Sequence, residues 1–133
     1  MNVRFVASFA PIVRDVPATR ALYRDTIGLT FEGEADDYSF TEKLDGVKHF
    51  GLWPLTEAAK ACYGTAEWPA DVPVPQASVE FEVDDVPAAA AELQAAGYEL
   101  VHETRTEPWG QTIARVLDPN GLIVGVCVTP HLQ

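Results

Sequence analysis

The sequence predicts an α+β fold built from two βαβββ modules. Three observations predict it. The segment Val13-Arg14-Asp15-Val16-Pro17-Ala18 recurs as Val83-Asp84-Asp85-Val86-Pro87-Ala88, an offset of 70 residues from Val13 to Val83. Each copy follows an apolar, strand-like run and precedes a helical stretch that stops near a glycine, Gly28 or Gly97. Three extended segments separated by turn residues follow each glycine.

The elements follow in order. Module one, about residues 1–54, opens with a strand over 3–13. Asp15 suits a helix N-terminus, where its carboxylate accepts from free backbone N–H groups, and Pro17 is tolerated in the first turn because its missing donor is not needed there. Gly28 then suits the left-handed position that ends a helix. Strands are predicted over 29–35, 38–44 and 47–53, with Asp36-Asp37 and Asp45-Gly46 as turns. A linker of about 55–75 holds a short helix over 56–64 and the proline-rich stretch from Trp68 to Pro75, which reads as extended. Module two, about 76–133, repeats the plan. It has a strand over 76–83, a helix from Asp85 to Gly97, and strands over 98–103, 111–117 and 122–128, with Asp118-Pro119-Asn120-Gly121 as a hairpin turn.

A chain of 133 residues with 47% apolar composition has room for one core, so 1–133 is read as a single domain. The apolar start has only Arg4 as a basic flank and is broken by Pro11, which fits neither a signal peptide nor a membrane span. Cys62 and Cys127 lie far apart without metal-ligand spacing, and a reducing cytoplasm is the expected location. A formal charge of −11 opposes nucleic acid and anionic membrane as partners and favours the approach of cations. No G-x-S-x-G, P-loop or H-E-x-x-H motif occurs, which leaves serine-hydrolase, nucleotide-hydrolase and zincin readings unsupported.

Glu107-Pro108-Trp109-Gly110-Gln111 and Asp118-Pro119-Asn120-Gly121 look like the E-x-PWG and DP-x-G signatures of the vicinal oxygen chelate superfamily, which includes glyoxalases, bleomycin-resistance proteins and extradiol dioxygenases. With the duplicated βαβββ order, the chain resembles that superfamily over essentially its whole length. The resemblance implies that the two modules form one curved mixed sheet whose concave cleft holds the site. It also implies that metal-dependent members carry four His, Gln or Glu ligands on the first and fourth strand of each module. Those positions fall here on Ser8, Gly51, Ser78 and Gly125, none of which suits a divalent transition metal. No metal and no cofactor are therefore expected.

Alternation along the strands puts Ser8, His49, Gly51, Trp53, Ser78, Glu80 and Glu82 on the cavity side, and Val79, Phe81 and Val83 toward the helices. That cavity face is acidic. Trp109 matches the tryptophan that bleomycin-resistance-type binders stack on a planar drug, and Tyr38, Phe40 or Trp53 would supply a second aromatic wall. Each residue has a plainer reading. His49 is then a strand histidine, Glu80 and Glu82 are solvated, Trp109 packs at the cleft mouth, and Trp68 in the linker is an anchoring or dimer-contact residue.

The leading expectation is a metal-independent small-molecule binder resembling antibiotic-sequestering resistance proteins, with an aromatic or cationic ligand. The alternative is a glyoxalase-like lyase or isomerase, or a dioxygenase, including a metal-free isomerase or epimerase with His49, Glu80 or Glu82 as general base. A purely interacting module is favoured if the concave face is filled by its own side chains. The resemblance further implies a homodimer, in which units from two chains often complete each cleft.

Overall fold

The computed structural model describes residues 1–33 and 37–133. Seven strands form one sheet in the order β2-β3-β1-β4-β7-β6-β5. In chain order they are β1 (Val3–Val13), β2 (Ser39–Thr41), β3 (His49–Pro54), β4 (Ala77–Val83), β5 (His102–Thr106), β6 (Thr112–Leu117) and β7 (Ile123–Val128). Helix α1 (Val16–Arg20) runs on into a π-helical turn over Ala21–Thr26, α2 (Leu55–Tyr63) follows β3, α3 (Val86–Ala95) follows β4, and a 3₁₀ turn spans Pro130–Leu132. No helix among the described residues is long and apolar enough to cross a membrane.

The sequence repeat reappears as local chemistry. Asp15 accepts from the N–H of Ala18, and Asp85 accepts from that of Ala88, each at 3.0 Å, with a proline in each first turn. Gly28 and Gly97 take φ of +92° and +95° after their helices, the left-handed conformation that favours glycine.

The modules meet along β1 and β4, which pair antiparallel. The 70-residue offset carries Ser8 to Ser78, Phe9 to Val79 and Ala10 to Glu80. The register pairs them crosswise, Ser8 with Glu80, Phe9 with Val79 and Ala10 with Ser78. A local twofold therefore passes through the Phe9–Val79 pair. β3 lies parallel to β1 on one side, as β7 lies parallel to β4 on the other. One chain thus supplies both halves of the sheet.

Two apolar clusters hold α1 and α3 on one face. Val13, Phe31 and Leu52 pack with Val16, Tyr23 and Phe50, while Val83, Ala114 and Val126 pack with Val86, Ala89 and Ala90 of α3. Two further clusters cover the ends of the opposite, concave face. Ala58 and Cys62 of α2 pack with Ile12, Trp53, Leu117 and Ile123, and Leu132 of the 3₁₀ turn packs with Phe5, Ala7, Ile113 and Cys127. Both cysteines are buried and unpaired, and burial pushes the Cys62 thiol up to about 11.

Three strands differ from the sequence expectation. The strand expected over 29–35 is a single bridge between Glu32 and Phe40, and residues 34–36, which include Asp36 of the expected turn, lie outside the described residues. The one expected over 38–44 ends at Thr41, whose hydroxyl accepts from the N–H of Lys43. The one expected over 98–103 begins at His102, because Tyr98 N–H still bonds the Leu93 carbonyl and prolongs the end of α3. Val101 N–H, bonded to the Arg115 carbonyl, makes the first link to β6.

Asp85→Ala is expected to lower the unfolding free energy by about 1 kcal/mol in urea titrations, and Asp85→Asn to retain most of it, as expected for a cap that acts by accepting one backbone hydrogen bond.

Candidate functional site

One cross-strand row crosses the middle of the concave face. His49 on β3 pairs with Ser8 on β1, Ser8 with Glu80 on β4, Glu80 with Gly125 on β7, Gly125 with Arg115 on β6, and Arg115 with His102 on β5. Directly paired residues point to the same side of a sheet, so five strands and a backbone gap at Gly125 gather these side chains on one surface.

At the β3 end, Tyr38 and Phe40 stack on the His49 ring, with centroids 5.9 and 5.1 Å away. The Tyr38 hydroxyl lies 2.5 Å from His49 Nε2, and His49 Nδ1 lies 2.7 Å from Glu42 Oε2. Burial, reinforced by the charges of Glu80 and Glu42, raises the Tyr38 pKa and keeps its hydroxyl protonated. Burial disfavours the Glu42 carboxylate, but hydrogen bonds with His49 and His131 outweigh it and hold the carboxyl below its usual range. In the tautomer with its proton on Nδ1, the His49 ring donates to Glu42 and accepts at Nε2 from Tyr38, which makes a continuous hydrogen-bonded chain.

Toward β5 the row is charged and paired. Arg115 is 1% exposed, and its Nη1 lies 3.0 Å from His102 Nε2 and 3.3 Å from Glu107 Oε1. Arg105 Nε donates to the same Glu107 oxygen at 2.7 Å, and its Nη2 donates to the carbonyl of Ala61 in α2. Trp53 lies over the Arg115 guanidinium, with the ring centroid 5.5 Å from Cζ. Glu80 Oε1 accepts from Gln111 Nε2 at 2.9 Å, and Gln111 Oε1 accepts from the Trp109 indole at 3.0 Å. The four charges of Glu80, Glu107, Arg105 and Arg115 compensate one another. The acidic face expected from the sequence is therefore neutralised at its centre.

The predicted residues separate into groups. Tyr38, Phe40, His49, Trp53 and Glu80 come together around the row. Trp109 is 57% exposed at its rim and joined to it through Gln111, and Ser8 and Ser78 are buried in the floor. Glu82 stands apart. It is fully buried, with its carboxylate accepting from Thr129 N–H at 2.7 Å and Gln133 Nε2 at 2.8 Å, so it anchors the segment that follows β7 and is not solvated. Trp68 donates its indole N–H to the carbonyls of Val72 and Pro73 within the linker.

Arg115, Arg105, Glu107, Gln111 and His102 were not legible as a group. The available signal was an arginine alternating with Ile113 and Leu117 on the inward side of a strand otherwise rich in apolar residues.

The positions that the superfamily resemblance assigns to metal ligands do not fit a metal. Register makes Gly51 and Gly125 equivalents under the local twofold, and both lack a donor. The space a side chain would need is occupied as well. A Cβ on Gly51 would collide with the Tyr38 hydroxyl, and one on Gly125 would stand 2.9 Å from Ile113 Cδ1 and 3.1 Å from Glu80 Cγ. Among the described residues no group of three or more His, Cys, Asp or Glu side chains is arranged to hold a metal ion.

The sequence matches the family model described as Glyoxalase/Bleomycin resistance protein/Dioxygenase superfamily over residues 6–126. No curated protein matches it. Among solved structures it is similar to a glyoxalase/bleomycin resistance protein/dioxygenase superfamily member from Vibrio splendidus 12B01, with 16% identity, TM-score 0.59, and 95% of this chain and 98% of that one covered. It is likewise similar to a Streptomyces coelicolor methylmalonyl-CoA epimerase variant in complex with 2-nitronate-propionyl-CoA, with 18% identity, TM-score 0.59 and 99% of both chains covered. A Legionella pneumophila structure described as an NAD-dependent benzaldehyde dehydrogenase aligns at 12% identity and TM-score 0.61, over 90% of this chain and 96% of that one. At such identities the likeness concerns the fold.

Two outcomes test this geometry. Gly51→Ala is expected to destabilise the protein by about 1–3 kcal/mol through the clash with Tyr38, and to cost clearly less in a Tyr38→Ala background, as a double-mutant cycle in urea would measure. The second concerns His102, whose pKa is held below its ordinary 6.5 by burial, with the Arg115 charge acting in the same direction. The folded state therefore takes up this proton less readily than the unfolded chain, and stability falls as pH drops below about 6.5. Unfolding curves between about pH 7.5 and 5.5 should slope less in His102→Gln than in the parent.

Proposed function

Because the chain belongs to the glyoxalase/bleomycin resistance protein/dioxygenase superfamily, we propose that it is a metal-independent small-molecule-binding protein whose concave face holds its ligand directly on side chains. One observation carries this reading. At the four superfamily ligand positions stand Ser8, Gly51, Ser78 and Gly125, and the space above the two glycines is taken by Tyr38, Ile113 and Glu80. A divalent transition metal finds no suitable ligand set at those four positions, whereas a small molecule meets a row of polar groups bounded by aromatic rings. Tyr38, Phe40, His49, Trp53 and Glu80 are the contacts proposed for it, with Trp109 at the rim. Ser8 and Ser78 form the floor, and Glu82 is left out because the segment after β7 holds its carboxylate.

Sequestration of the kind seen in bleomycin-resistance proteins is the form of binding this arrangement would serve. The neutralised centre removes the electrostatic reason for a cationic guest, while the flat walls of Trp53 and Phe40 continue to favour a planar one. Homodimerisation and a cytoplasmic location remain part of the proposal as the sequence suggested them.

A second reading is favoured by the Tyr38–His49–Glu42 chain, which holds an imidazole between a hydroxyl and a carboxylate as a proton-transfer group requires. It is a metal-free isomerase or epimerase acting next to a carbonyl. Methylmalonyl-CoA, the ligand of another solved neighbour, is a suitable test compound for it.

Protein purified without chelator is expected to contain metal well below one equivalent by elemental analysis, and its tryptophan fluorescence to be unchanged by Zn²⁺, Ni²⁺, Mn²⁺ or Fe²⁺. Stoichiometric metal would end the metal-independent reading. Exchange of the α-hydrogen of methylmalonyl-CoA with solvent deuterium, abolished in both His49→Ala and Glu80→Gln, would replace the binder with the second reading.

A further inference from the structure

The Arg115 guanidinium is buried, yet two of its nitrogens, Nε and Nη2, have no hydrogen-bond partner among the described residues. The contacts to His102 and Glu107 both use Nη1. Leaving buried donors unsatisfied costs on the order of 1–3 kcal/mol each, and more for a charged group, so such an edge in a native protein calls for an acceptor. Nε and Nη2 share one edge of the planar guanidinium and present two nearly parallel N–H bonds to whatever lies in that plane. Nη2 faces Glu80, but Oε2 of Glu80 stands 3.9 Å away, too far for a hydrogen bond. This edge is a place for an acceptor beside Glu80 Oε2, and both of its nitrogens are closed off from solvent in this conformation.

Charge decides what fills it. Arg105 and Arg115 already balance Glu80 and Glu107. A carboxylate laid on the guanidinium edge would bring a second negative charge beside Glu80, and a cation on Glu80 would bring a second positive charge beside Arg115. Neither is compensated in a site removed from water. A neutral group that accepts on one side and donates on the other has no such penalty.

We propose that the concave face recognises a neutral amide, either a primary carboxamide or a lactam, whose carbonyl oxygen accepts from Arg115 Nε and Nη2 and whose adjacent N–H donates to Glu80 Oε2. This rests on the concave face being the ligand site and names the chemical class of the ligand. Trp53, whose ring centroid lies 5.5 Å from the guanidinium carbon, offers an aromatic surface to a ring attached to the amide. Helix α2 covers the adjoining end of the concave face and is tied to the charged cluster by the hydrogen bond from Arg105 to the Ala61 carbonyl, so entry to the Arg115 edge requires that tie to open.

The test follows the arginine Nε–Hε and tryptophan indole signals by NMR, with benzamide, benzoate and benzylammonium as probes of equal size and different charge. The signal missing from Arg115→Lys assigns Arg115. Benzamide is expected to shift the Arg115 Hε signal saturably and to bind about tenfold or more tightly than the two ions. In Glu80→Gln the order of benzamide and benzoate should reverse, because the negative neighbour of the bound carboxylate is gone and the side chain gains a donor. This variant leaves Arg115 in place and keeps the test valid if Arg115→Lys fails to fold. If benzoate or benzylammonium moves the Arg115 and Trp53 signals more than benzamide does, the amide inference falls while the binding function stands. If none of the three moves either signal, both fall.

Discussion

The antiparallel seam between β1 and β4 is the constraint on which the rest of the molecule depends. Its register places the local twofold at the Phe9–Val79 pair, and every later placement follows from it. Because β3 and β7 attach parallel to β1 and β4, they come to lie symmetrically about the seam, and Gly51 and Gly125 occupy equivalent places. A slip of β1 by one residue would turn Ser8 to the helix face and bring Phe9 into the cleft. The apolar packing against α1 and α3 forbids that slip, so the hydrophobic clusters on one face determine which polar groups meet on the other.

What meets there is a balanced set of charges. Glu107 receives hydrogen bonds from both Arg105 and Arg115, while Glu80 is held by Gln111 and faces the remaining edge of Arg115. A buried charge is tolerable only with a partner, and removing one member of such a cluster leaves another uncompensated. The protein carries a net charge of −11, yet the centre of its concave face is close to neutral. The surface charge therefore says little about the ligand. At the β3 end the same economy of partners holds the His49 imidazole between Tyr38 and Glu42.

The parts of this arrangement that were legible are those governed by local rules. The V-x-D-V-P-A repeat announces two capped helices, because an Asp followed closely by Pro has the same capping chemistry wherever it occurs, and Asp15 and Asp85 both behave accordingly. Alternation along β4 put Ser78, Glu80 and Glu82 on the concave side, where cross-strand pairing keeps them. Alternation gives a direction but not a partner. Nothing in the residues around Glu82 foretells that its carboxylate is taken by Thr129 and Gln133, which lie some fifty positions further along the chain.

The glycines show the same division. That Gly51 and Gly125 cannot ligate a metal is a matter of their chemistry, and the residue type alone decides it. What stands above them is a matter of tertiary packing, since Tyr38 and Ile113 reach those spaces only after β2 and β6 have docked beside β3 and β7. The sequence by itself determined the superfamily and the duplicated plan, because each depends on residues near one another in the chain. The charge-balanced row from His49 to His102 was decided only by the tertiary structure, because its members come from strands separated by tens of residues. Their proximity exists only in the register of the folded sheet.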